Sequence, residues 1–318
     1  MSIRVEAIER VPDLSGIRGA WIELWERCPR ATPFQRPEWL IPWCRRFAPE
    51  VVRVTVVRAE GRVIGMLPLG MVEGTARLLG EGITDYLDAL IDPAHEEDVL
   101  EIFAEEIERW DRAELSALPE WSPLLQVLPP TPARDAAAPC DACPVLSIEA
   151  GLEKALPREM TRNLHRARVK AEARGQVDFV MAHEENRAAL LEALFALHEA
   201  RWEGRGALGD EAVRAFHREM SAEMLAAGML RLGAMTLGGR VVAVVYGLAG
   251  KDVLYLYLQG YEPALADVSP GTLVLGYIMA EAERQGARAI DMLRGQEAYK
   301  YRFGAKDRMT WRRAIRRG

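Results

Sequence analysis

One short pattern occurs twice in this chain, in the same register. Val52-Arg53-Val54 followed by Gly61-Arg62-Val63-Ile64 matches Leu230-Arg231-Leu232 followed by Gly239-Arg240-Val241-Val242, and equivalent residues lie 178 positions apart. Each copy reads as a strand, a glycine turn and a second strand. A period this long predicts a duplicated domain, since solenoid repeats are much shorter. The length of 318 residues also exceeds one comfortable core and suits two domains of roughly 150 residues. Only the second copy continues into the polar run Asp291-Met292-Leu293-Arg294-Gly295-Gln296-Glu297-Ala298-Tyr299-Lys300. The first half therefore reads as scaffold and the second as the working half.

Local patterning fills in both copies. In the first, Val51–Val57 and Arg62–Leu69 flank Glu60-Gly61 as a hairpin, and Arg77–Leu79 is a third strand. A polar loop holding Thr84-Asp85-Tyr86-Leu87-Asp88 follows, then an amphipathic helix over Val99–Trp110 and a strand over Ala113–Leu118. The stretch from Pro129 to Pro144 is rich in proline and alanine and reads as a linker. In the second half, Pro157–Gly175 is a basic helix, and Ala188–Glu203 and Val213–Ala226 are two more. Strands follow over Leu230–Leu237, Arg240–Leu248 and Asp252–Leu258. Ser269-Pro270-Gly271 opens a helix that runs to Arg284; Ala289–Leu293 is a strand, Glu297–Arg302 a short helix and Met309–Ile315 a last strand. The expected fold class is α+β (α/β mixed sheet), with domains at 1–128 and 146–318 joined by a linker at 129–145.

Composition excludes several classes. With 49% apolar and 28% charged residues the chain is an ordinary globular one. A net charge of −6 argues against a general nucleic-acid binder, and no nucleic-acid partner is expected. Positive charge is nevertheless gathered in the second half, at Arg158, Arg162, Arg166, Arg168, Lys170 and Arg174 and again from Lys300 to Arg317, where it can face an anionic ligand. No signal peptide and no membrane span are expected, and the cytoplasm is the expected compartment. Four scattered cysteines make no disulfide framework. Cys140 and Cys143 lack the second ligand pair of a zinc site and read as incidental, so no metal is expected.

Four places can carry chemistry. The helix start at Ser269, Gly271 and Thr272 offers N–H groups and a positive dipole end to a phosphate, although serine and proline there also serve as ordinary caps. The strand before it ends at Gln259-Gly260-Tyr261; if it parts from its neighbour beside the helix start, a long ligand with a phosphate in its middle fits. Next is the run from Asp291 to Lys300. A carboxylate in an apolar strand is costly unless paired. Asp291, Arg294, Glu297 and Lys300 therefore form either a structural ion-pair cluster or a proton-accepting site, in which burial raises the base into its working range. His198, Arg201 and Trp202 close one helix, where a histidine is more often a surface or cap residue and a tryptophan core or lid. Arg162, Arg166 and Lys170 repeat by four along another, a stripe that is usually solvated. P-loop, dinucleotide-binding and nucleophile-elbow motifs are absent, which leaves direct transfer of an activated acyl group as the reaction these parts suit.

In these features the chain resembles the GNAT acetyltransferase superfamily, and more narrowly its CelD/BcsL-like branch. The resemblance rests on the Asp291–Lys300 run, on Phe34 to Trp43, Thr84 to Asp88 and Arg162-Asn163-Leu164-x-Arg166, and on His198-x-x-Arg201-Trp202. That branch is similar to the tandem Fem-type transferases, which use aminoacyl-tRNA. The resemblance implies tandem GNAT-like domains, with acetyl-CoA or another acyl-CoA as co-substrate in the second. It further implies Glu297 as base or amine-orienting carboxylate with Asp291 behind it, and places Arg294, Tyr299 and Lys300 around the acceptor or donor, with His198 among the catalytic candidates. Backbone at Gln259–Tyr261 and Ser269–Thr272 would hold pantetheine and pyrophosphate. Arg201, Trp202, Arg162, Arg166 and, from the first half, Asp85 and Tyr86 would line the substrate side. The usual phosphate loop of the superfamily is replaced here by Ala266-Asp267-Val268-Ser269-Pro270-Gly271-Thr272. A small-molecule or glycan amine is the implied acceptor. Fem-like transfer from charged tRNA and a non-catalytic module for polysaccharide synthesis are the rival readings.

Overall fold

The computed structural model describes residues 2–47, 49–127, 133–202 and 208–317, the side chains of 133–134 and 201–202 excepted. Its elements in chain order are β1 (Ile3–Ile8), α1 (Arg18–Arg27), α2 (Pro37–Phe47), β2 (Val51–Ala59), β3 (Arg62–Val72), β4 (Thr75–Leu78), β5 (Leu90–Ile91), α3 (Glu96–Glu108), β6 (Arg112–Pro119) and β7 (Ala133–Ser147). There follow α4 (Leu152–Ala155), α5 (Arg158–Glu172), β8 (Val177–Met181), α6 (Arg187–Trp202), α7 (Glu211–Ala226), β9 (Leu230–Leu237), β10 (Arg240–Gly250) and β11 (Val253–Tyr261). The chain closes with α8 (Pro270–Arg284), β12 (Ala289–Asp291), α9 (Ala298–Arg302) and β13 (Lys306–Arg317). Two compact units result: Met1–Ala142 with Arg308–Gly318, and Cys143–Asp307.

Unit 1 orders its strands β1-β2-β3-β4-β6-β13, with β5 on β3; every pairing is antiparallel except β4 with β6. Unit 2 orders β8-β9-β10-β11-β12-β7, antiparallel except β11 with β12. The repeat read in the sequence is thus a repeat of sheets. β3 and β10 have equal length and begin and end 178 residues apart, and β4 and β11 begin at the same offset. Both hairpins turn through left-handed residues, Glu60-Gly61 in one and Gly238-Gly239 in the other, which matches the strand twist. Each unit is a mixed α/β sheet, and the duplication accounts for the tandem that the resemblance implies.

One helix packs on each sheet at the same place. In unit 1, Val99, Phe103 and Ile107 of α3 bury against Val57, Leu67 and Leu115. In unit 2, Leu273, Val274 and Ile278 of α8 bury against Val245, Leu254 and Ile290. α5 lies on α8, where Gly276 leaves room for Leu164: a Cβ there would meet the Leu164 Cδ2 at 2.8 Å. That contact fixes the basic helix beside the start of α8.

The linker expected at 129–145 is largely strand. From residue 133 the chain is β7, which pairs through Val145–Ser147 with β12. Pro139 and Pro144 argue for a loop. Alternating small residues still hold an extended strand, and tertiary pairing overrides the composition. The last strand is also not a possession of the second half, since β13 pairs with β6 of unit 1. Each unit therefore takes its sixth strand from the stretch of chain that follows the other. Within unit 1, Arg313 of β13 donates from Nε to the Asp135 carboxylate at 3.0 and 3.1 Å. β1 and β8, two edge strands, are not among the expected strands, although Ile3-Arg4-Val5-Glu6-Ala7 alternates apolar and charged residues. All four cysteines are free thiols; Cys140 is exposed and Cys143 buried. Among the described residues no helix is long and apolar enough to cross a membrane.

Candidate functional site

The site begins where two parallel strands part. β11 and β12 pair only through Val253–Tyr255 and Ala289–Asp291. β11 runs on to Tyr261 while β12 stops, so beyond Tyr255 its strand partner among the described residues is β10 alone. An extended ligand can lie along an edge of this kind.

After β12 the chain forms a knot around one ammonium group. Lys300, 3% exposed, donates from Nζ to the carbonyls of Leu293 (2.9 Å), Arg294 (2.8 Å) and Gly295 (3.1 Å). The Glu297 Oε2 lies 3.0 Å from the same nitrogen. Leu293 is left-handed (φ 56) and Gly295 has φ 113, where a Cβ would meet the Glu297 Oε2 at 2.6 Å. Asp291 is fully buried at the root of the knot, and its Oδ1 accepts the Leu293 N–H at 2.9 Å. The sequence cluster is therefore one assembly: Asp291 and Lys300 fold the loop, and Glu297 stands at the N-cap position of α9 with its half-exposed carboxylate on Lys300 and not on the helix N–H groups. Burial, the expected means of tuning Glu297, is not what surrounds it. The Arg294 side chain is exposed.

The start of α8 is more closed than its sequence suggests. Ser269 is left-handed, its carbonyl accepts both the Thr272 and Leu273 N–H groups, and Pro270 has none to give. Gly271 is buried against β11: the Gln259 amide donates to its carbonyl, and a Cβ would meet Tyr261 at 2.7 Å. Gln259, Tyr261 and Gly271 thus meet, but they fill the space rather than opening it. Gly260 packs on α6, with its Cβ direction 2.8 Å from the backbone nitrogen of His198, which is itself buried.

Beside this helix start lies a cavity of about 360 Å³ that gathers three separate expectations. Asn163, Arg166 and Lys170 of α5, Ser269 and Thr272 of α8, and Tyr299 and Arg302 of α9 all line it. Its acid, Asp267, is occupied by Arg174. Lys170 and Arg302 join no ion pair among the described residues, so the cavity presents uncompensated positive charge. The stripe facing it is Asn163–Arg166–Lys170. Arg162 lies instead on a shallow depression with Glu159, Thr161 and His165. Sequence reasoning missed Arg302, whose one signal was its place in the basic run after Lys300.

The side chains of Arg201 and Trp202, at the end of α6, fall outside the described residues. Asp85 and Tyr86 belong to unit 1, where Tyr86 is core, 1% exposed, with its ring 6.0 Å from that of Trp121. A histidine that no sequence motif marks, His217 of α7, is buried among Phe216, Tyr246 and Tyr257. Burial pushes its pKa down to about 3, which keeps it a neutral core residue. No group of three or more His, Cys, Asp or Glu side chains among the described residues is placed to hold a metal ion.

Comparison with known proteins agrees with this architecture. Residues 158–301 match the model of the family described as Acetyltransferase (GNAT) domain. Both units then fit a tandem of GNAT-type folds, and solved structures share it over nearly the full chain. FemX superposes with a TM-score of 0.68 at 10% identity, over 97% of this chain and 96% of that one. The C-terminal domain of a putative lysylphosphatidylglycerol synthetase from Agrobacterium fabrum gives 0.65 at 11% identity, over 96% and 93%. A tandem GNAT protein from the clavulanic acid biosynthesis pathway gives 0.50 at 16% identity, over 98% of each chain. Among curated proteins no sequence matches this one.

Proposed function

We propose that unit 2 is an acyl-CoA-dependent N-acyltransferase, acetyl-CoA being the first donor to try. The observation that carries this reading is the cationic cavity at the head of α8, next to the parted strands β11 and β12. The pantetheine arm lies along β11 beyond Tyr255, and the phosphates meet Lys170, Arg166 and Arg302. Side chains do the work that helix N–H groups do in an open phosphate loop, in keeping with the closed start of α8. The acceptor nitrogen attacks the thioester carbonyl, the C–S bond breaks, and the CoA sulfur leaves with the electron pair. Glu297 takes the proton that the amine sheds, while Lys300 and Asp291 keep its loop in place. The CelD/BcsL-like branch and an amino-sugar or other glycan acceptor are the finer reading that this chemistry accommodates.

Calorimetry with acetyl-CoA tests the donor. Micromolar binding with native protein is expected, and no heat with acetyl-, propionyl- or succinyl-CoA would overturn it. Glu297→Gln then keeps donor binding but lowers turnover on an accepted amine by about 100-fold or more, in line with loss of a general base.

One observation favours a Fem-like donor instead: Arg158, Arg162, Arg166, Arg168, Lys170 and Arg174 make an exposed basic face on and just beyond α5. Filter retention of charged tRNA that is lost on reversing Arg162 and Arg166, with no acyl-CoA binding, decides for that donor.

A further inference from the structure

We propose that unit 1 holds a second ligand site, a cavity of about 360 Å³ that takes a small molecule by a cationic amino group with Asp88 as counter-charge. The site stands on unit 1 alone and is independent of the transfer chemistry assigned to unit 2.

Asp88 lies just before β5 and is 8% exposed. Its Oδ1 accepts the Ala89 N–H at 2.9 Å and the Ser122 hydroxyl at 2.7 Å. Its Oδ2 takes no hydrogen bond from the described residues, and it is not sealed from solvent. An acceptor open to the cavity and without a protein donor is free to take an N–H group from a ligand.

Three of the other polar walls are committed, while Gln126 lines the cavity from the exposed side. Gln35 accepts the Thr32 N–H at 2.8 Å and donates to the Ala89 carbonyl at 2.8 Å. The Cys28 thiol donates to the Ile91 carbonyl at 3.1 Å. Trp121 donates its indole N–H to the Arg30 carbonyl at 3.3 Å and contributes ring surface. The other charged groups lining the cavity are Glu96, from the start of α3, and Arg30, from the turn after α1, both exposed; the Arg308 guanidinium of β13 lies 4.8 Å from the Trp121 ring centre. Nearby, Asp92 is held by Arg27 at 2.6 Å. The open acceptor that is also buried is thus the Asp88 carboxyl group, and the volume suits a compact ligand. A donor with a positive charge satisfies both the hydrogen bond and the buried charge.

Burial pushes the Asp88 pKa up to about 7, so the group is partly protonated at neutral pH. An ammonium ion binds the carboxylate form, and its affinity therefore rises as the pH passes upward through 7.

Benzylamine and benzyl alcohol, matched in shape and different in charge, are the probes, with amide and indole NMR shifts of the full-length protein as the readout. At pH 8 benzylamine shifts the signals of Ala89 and of the Trp121 indole and binds about tenfold more tightly than the alcohol, a difference of roughly 1.4 kcal/mol. At pH 6 the preference shrinks several-fold in the unaltered protein, which needs no variant. Asp88→Asn keeps both bonds to Oδ1 and removes the preference. Equal binding of the two probes, no benzylamine binding at tens of millimolar, a preference that survives Asp88→Asn, or one lost in Glu96→Gln instead would each overturn the site.

Discussion

The two units part their parallel strands at the same point of the repeat and treat the gap in opposite ways. In unit 1, β4 and β6 pair only at Ala76 and Ala113, and a clasp of charged side chains follows. Arg77 donates to Glu81 at 2.9 and 3.0 Å and to Glu114 at 3.1 Å, and the Ser116 hydroxyl donates to Glu81 at 2.7 Å. In unit 2 the equivalent strands separate after Tyr255 and Asp291. The chain spends its polar groups on the Lys300 knot instead, and β11 keeps a bare edge. The cavities differ in charge balance as well: Asp88 and Glu96 with Arg30 in unit 1, Arg166, Lys170 and Arg302 with Asp267 in unit 2. Duplication supplied one sheet twice; a handful of side chains decides which copy stays open.

That contrast can be broken experimentally. The largest effect is expected from Lys300→Met, which leaves three loop carbonyls without their donor. Unit 2 should lose about 3 kcal/mol or more in denaturant unfolding, at about 1 kcal/mol or more for each unsatisfied group. Unit 1 should keep its stability. Next comes charge reversal at the cavity. Lys170→Glu with Arg302→Glu should weaken acyl-CoA binding about 100-fold, roughly 2.7 kcal/mol, with the unfolding midpoint unchanged. Retained affinity would show that the donor phosphates lie elsewhere.

The third test is a pH profile. Burial raises Asp88 from 3.8 to about 7, so the folded state holds that proton more tightly than the unfolded chain. The stabilisation is complete below about pH 4 and is lost as the pH rises through 7. Between pH 5 and 6.5 the unaltered protein should lose about 1 to 2 kcal/mol relative to Asp88→Asn, since each tenfold difference in proton affinity is worth roughly 1.4 kcal/mol. Parallel pH profiles for the two proteins would remove Asp88 as the buried acid. The smallest effect is at the clasp: Arg77→Ala should cost unit 1 about 1 kcal/mol or less, because that ion pair is partly solvated. A larger loss would mean that the gap in unit 1 is under strain.

Much of this was legible in the residues. Hairpin turns, the helix opening at Pro270 and the span of β10 follow from glycine placement and apolar periodicity, which are local signals. The Asp291–Lys300 cluster was legible as a cluster, because a carboxylate and a lysine so close to an apolar strand need partners. What it does was not. Only the folded loop shows that Lys300 is committed to three carbonyls, and that Gly271 faces inward to Tyr261. The cavity was out of reach for the same reason, since α5, α8 and α9 meet only through packing such as Leu164 on Gly276. β7 was hidden by its prolines and alanines, whose composition says loop while the neighbouring strand β12 says sheet.

The exchange of sixth strands has a consequence for synthesis. When β6 leaves the ribosome, the strand that will cover its edge, β13, is still nearly two hundred codons from being made. Until β13 has been made, the first sheet waits with an uncovered margin, the kind of surface on which nascent chains stick to one another. A gene cut between the halves should therefore yield an N-terminal piece that aggregates unless the β13 segment is supplied in trans, and β13 acts as the closing stitch of the first domain.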